Sequence, residues 1–80
     1  MKERKPRRQW MPEGRYANHF EIGHNQFEFV FDIGQLYPGD DAAMLHTRVL
    51  TSPDRAKALL ELLARAVDAH EQTFGRIQPE

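Results

Sequence analysis

The chain has no cysteine. That excludes disulfide bonds, thiolate zinc sites and cysteine nucleophiles together. It also lacks any apolar run near the roughly 20 residues that a bilayer-spanning helix needs. No HExxH spacing is present, and no serine stands in a triad-like context with a histidine. Gly23, Gly34 and Gly39 are isolated, so there is no glycine-rich phosphate loop; each reads as a turn, bulge or strand end. With only 80 residues, the chain forms at most one domain and has little room for a deep catalytic cleft. Met1 to Arg8 is basic but lacks the apolar stretch of a secretory signal. The expectation is a cytoplasmic protein that does not enter a membrane.

What is present suits a globular fold: 40% of residues are hydrophobic and 29% charged. The net charge of −1 conceals an asymmetry. Residues 1–15 carry six basic side chains against two acidic ones, whereas residues 16–80 carry five against ten. Residues 1–14, with Pro6, Pro12 and Gly14 and no periodicity, read as a flexible basic arm. Three uses are open for it. It solubilises a terminus, it contacts nucleic acid or an acidic partner through Lys2, Arg4, Lys5, Arg7 and Arg8, or it folds back on the acidic domain. Residues 15–77 then form a single domain, and 78–80 a disordered tail.

Within that domain, polar and apolar residues alternate from Arg15 to Gly23 and again from Gln26 to Leu36, the signature of half-buried strands. Phe20 and Ile22 share one face, as do Phe27, Phe29, Phe31 and Ile33. A two-residue turn at His24-Asn25 predicts the pairs Tyr16–Ile33, Asn18–Phe31, Phe20–Phe29 and Ile22–Phe27. Tyr37-Pro38-Gly39-Asp40 reads as a type II turn. Residues 43–51 read as a third strand with both faces mixed; Leu45 and Val49 are the preferred inward pair, because the opposite choice buries Arg48. Ser52-Pro53-Asp54 starts a helix, and Gly75 stops it. Ala56, Leu59, Leu60, Leu63, Val67, His70 and Phe74 form its apolar stripe, widened by Leu62 and Ala66. The expected fold is α+β: a three-stranded antiparallel meander with one long C-terminal helix along one face.

Titratable groups concentrate on the polar face of the hairpin. The two-residue turn sets Glu21 opposite Glu28, with His19 and Asp32 beside them and Arg48 on the next strand as the natural counter-charge. These five residues form the candidate interaction face. His19, Glu21 and Glu28 as metal ligands would have to converge, which alternating side chains on a flat face seldom do. Solvated acids paired with Arg48 are the preferred reading, with no catalytic, metal or cofactor site. Aromatics for base stacking are not expected either, since Phe27, Phe29 and Phe31 are needed as core.

Tyr16-Ala17-Asn18, Glu28-Phe29, Asp32-Ile33-Gly34, Arg48-Val49, Ser52-Pro53, Ala56-Lys57, Leu60 and the closing Glu71-x-x-Phe74-Gly75-x-Ile77 carry a resemblance. Over residues 16–77 the chain resembles a family of short bacterial and archaeal proteins known only as a domain of unknown function. The resemblance implies a compact strand–strand–strand–helix domain in a prokaryotic setting, and no activity or cofactor. The functional expectation is a small non-enzymatic binding or adaptor module. The alternative is a nucleic-acid-binding protein that uses the arm. A homodimer is expected because Leu59, Leu60, Leu62, Leu63, Val67 and Phe74 give the helix more apolar width than three strands can cover. An unidentified protein partner is expected as well.

Overall fold

The computed structural model describes residues 13–79. Three strands, β1 (His19–His24), β2 (Phe29–Gln35) and β3 (Met44–Thr51), precede one helix, α1 (Pro53–Phe74). The strands form an antiparallel sheet in the order β1-β2-β3. The architecture is the expected α+β meander with a C-terminal helix. The basic contacts Lys2, Arg4, Lys5, Arg7 and Arg8 lie outside the described residues.

The first hairpin departs from its expected register. Glu21 pairs with Asp32, Ile22 with Phe31 and Phe20 with Ile33. The connection is four residues long, because Asn25 organises it. The Asn25 Oδ1 accepts from the Phe27 amide at 2.7 Å and from the Glu28 amide at 3.0 Å. The Asn25 amide in turn donates to the Glu28 carbonyl at 3.0 Å. A two-residue turn of type I′ demands positive φ at both central residues, and neither His24 nor Asn25 adopts it. The pairing has therefore slipped by an even number of residues. An even slip leaves every side chain on its original face, so Phe20, Ile22, Phe31 and Ile33 still point together. Phe27, by contrast, falls in the turn and is exposed.

The second hairpin turns at Tyr37–Asp40 as a type II turn, with Gly39 at φ 89° and the Asp40 amide donating to the Tyr37 carbonyl at 3.0 Å. Just before it, the carboxamide of Asn18 replaces a strand residue. Its Nδ2 donates to the Leu36 carbonyl at 3.2 Å, and its Oδ1 accepts from the Leu36 amide at 2.8 Å. Between Ile33 and Gly34 the ladder to β3 shifts by one residue: Ile33 faces Thr47, but Gly34 faces Leu45. This bulge reverses the phase of β3. Val49 opposes Phe31 and so keeps the inward face expected of it, whereas Leu45, expected to face inward with it, opposes the buried Gly34 on the other face. His46 is the extra residue. Its Nε2 donates to the Tyr16 carbonyl at 3.2 Å, and its Nδ1 lies 2.7 Å from the Thr47 hydroxyl.

The helix begins directly after Ser52 with Pro53 in its first turn, and ends at Gly75, whose φ is 97° and whose amide donates to the Glu71 carbonyl. Ser52 occupies the N-cap position without capping: its hydroxyl donates instead to Asp54 Oδ1 at 2.5 Å. The 22-residue helix packs only loosely against the sheet. It meets the sheet through its first turns, where Ala56 is the one buried apolar side chain among the described residues. Beyond that contact, helix and sheet face each other across open grooves.

Candidate interaction faces

On the polar face, register and alternation place Glu21, Asp32 and Arg48 in one row across the three strands. Arg48 grips Asp32 bidentately, with Nε donating to Oδ1 at 2.7 Å and Nη2 to Oδ2 at 2.9 Å. That hydrogen bond, aided by the guanidinium charge, holds the Asp32 carboxyl below its ordinary value and raises Arg48. Glu21 stands opposite Asp32 with no share in the arginine. Its Oε2 accepts instead from His19 Nε2 at 2.8 Å. Four of the five expected residues, Glu21, Asp32, Arg48 and His19, are thus brought together. Glu28 is not: the four-residue turn removes it from opposite Glu21 to the end of the connection. The like-charge pair across the hairpin is Glu21–Asp32. No group of three or more histidine, aspartate or glutamate side chains among the described residues is placed to hold a metal ion.

The apolar face is larger and less satisfied. Phe20 and Ile22 on the sheet are each 62% exposed, and on the helix Leu60 is 64% and Leu63 57% exposed. Two grooves lie between α1 and the sheet. One, of about 550 Å³, lies against Phe29, Phe31, Lys57 and Leu60. The other, of about 510 Å³, lies against Phe20, Ile33, Val49 and Arg55. Ile22, Phe31, Leu59 and Leu63 border both. Monomeric proteins rarely expose a contiguous apolar surface of this kind unless it meets something. The width of the stripe was visible in the sequence; the gap between it and the sheet was not.

The chain matches, over residues 4–79, the model of a family described as Protein of unknown function (DUF3467). The chain belongs to this family. The match extends beyond residues 16–77 at both ends and spans Arg4, Lys5, Arg7 and Arg8. No curated protein and no solved structure matches the chain. Among the described residues, no helix is long and apolar enough to cross a membrane.

Proposed function

We propose that this family member is a small non-enzymatic cytoplasmic binding module whose folding unit is a homo-oligomer. One observation carries the reading. The described residues bury a single apolar side chain, Ala56, while the large apolar groups of helix and sheet remain open. Hydrophobic burial is the main force that offsets the conformational entropy lost on folding. A chain that buries so little by itself needs an associated surface to stay folded, as obligate oligomers do. The polar row supports binding over catalysis: the Asp32 carboxylate is occupied by Arg48 and Glu21 by His19.

Thermal or urea unfolding across a hundredfold range of protein concentration tests this. A folding unit that is an oligomer has a midpoint that rises with concentration. A midpoint independent of concentration contradicts the reading.

A further inference from the structure

We infer that the space between α1 and the sheet is filled by α1 of a second copy, the two copies exchanging helices about a twofold axis. The inference rests on the homo-oligomeric reading above and names the surfaces that meet. Three observations support it.

First, the occupant must be present whenever the chain folds, because Ala56 is the one apolar side chain that the described residues bury. A second copy is present wherever the chain itself accumulates, and coupling of folding to its concentration follows by mass action. The chain's own remaining segment is too small an occupant: residues 1–12 contain Met1, Trp10 and Met11 as their large apolar groups. Three side chains cannot cover both a sheet face and a 22-residue helix.

Second, the surfaces are complementary in chemistry and length. At about 1.5 Å per residue, α1 is roughly 33 Å long, and β2 at about 3.3 Å per residue is roughly 23 Å. The stripe Ala56, Leu60, Leu63, Val67, His70, Phe74 repeats with steps of four and three, the spacing of a helix–helix seam. Leu59 and Leu62 widen this stripe on one side, so one helix offers apolar surface to its own sheet and to a neighbour at once.

Third, the charges along α1 suit an antiparallel crossing. Arg55 and Lys57, which outnumber Asp54 in the opening turns, border the two grooves near its start. Asp68 and Glu71 lie near its end. A twofold axis near Leu63 and Val67 brings the basic start of each helix toward the acidic end of the other, and also opposes their dipoles favourably. Side-by-side pairing of strand edges, the other twofold arrangement open to a three-stranded sheet, leaves both grooves uncovered.

The cysteine-free chain offers a clean test in the full-length protein. Under mild oxidation, Val67→Cys should give a disulfide-linked dimer, whereas Glu61→Cys, on the outward side of the helix, should remain a non-covalent dimer. Mixing Phe20→Cys protein with Val67→Cys protein should yield the mixed disulfide, which can form only between copies. Leu63→Ser should raise the dissociation constant at least about tenfold, and Glu61→Ser should leave it within about twofold. If Leu63→Ser does not fold, the cross-links still decide. A protein that sediments as a dimer while neither Val67→Cys nor the mixture cross-links overturns the exchange and leaves the homo-oligomer standing, with edge pairing as its geometry. A folded monomer overturns both.

Discussion

Gly34 and Met44 are packed backbone to backbone across the β2–β3 bulge. A Cβ at Gly34 would collide with the Met44 carbonyl oxygen and stand 2.7 Å from the Leu45 Cα. Neither neighbour is a side-chain end that could swing aside, so the bulge admits only glycine here. Gly34→Ala should destabilise the fold by about 1–3 kcal/mol, the range for forced overpacking. Urea unfolding at fixed protein concentration checks this, and an unchanged midpoint would show that the bulge relaxes freely.

The Asn25 side chain sets the length of the first turn by accepting from the Phe27 and Glu28 amides. Asn25→Ala loses both bonds and should cost about 1–3 kcal/mol, at roughly 0.5–1.5 kcal/mol net for each. Asn25→Asp retains an acceptor at the same place and should lose much less. Equal losses in the two variants would mean that the side-chain oxygen is not what holds the turn.

Asp32 titrates below its ordinary value of 3.8 because Arg48 hydrogen-bonds and attracts its charged form. A carboxyl lowered on folding contributes stability that is present above the unfolded pKa and is lost as pH falls through the lower, folded pKa. That loss therefore belongs to the acid range beneath 3.8. Carboxyl chemical shifts followed by NMR should show Asp32 returning toward 3.8 in Arg48→Gln. An Asp32 titration unmoved by this substitution would place the cause elsewhere.

Much of the fold was legible in the residues. Ser52-Pro53 and Gly75 bracket the helix, Pro38-Gly39 forms its type II turn, and the alternation of Phe20, Ile22, Phe31 and Ile33 identifies the apolar face. The hairpin register was not legible, because a slip by an even number of residues preserves that alternation completely. Only the Asn25 side chain, bonding two residues ahead and three, chooses between the registers. The slip also decided the polar face, replacing Glu28 by Asp32 opposite Glu21. The bulge at Gly34 moved Leu45 off the apolar face for a similar reason: a phase change within a mixed strand leaves no trace in hydrophobic periodicity. Periodicity also says that a helix face is apolar, but not what covers it. Leu60 and Leu63 could be assigned to a stripe, yet the groove between them and Phe31 is a tertiary feature with no periodicity of its own.

In the proposed assembly the apolar faces of sheet and helix are closed by a second copy of the chain. Sedimentation equilibrium of the full-length protein at micromolar concentration, with circular dichroism on the same sample to establish that it is folded, tests this most directly. A folded species of twice the 9.3 kDa chain mass is expected. A folded species of 9.3 kDa would contradict it.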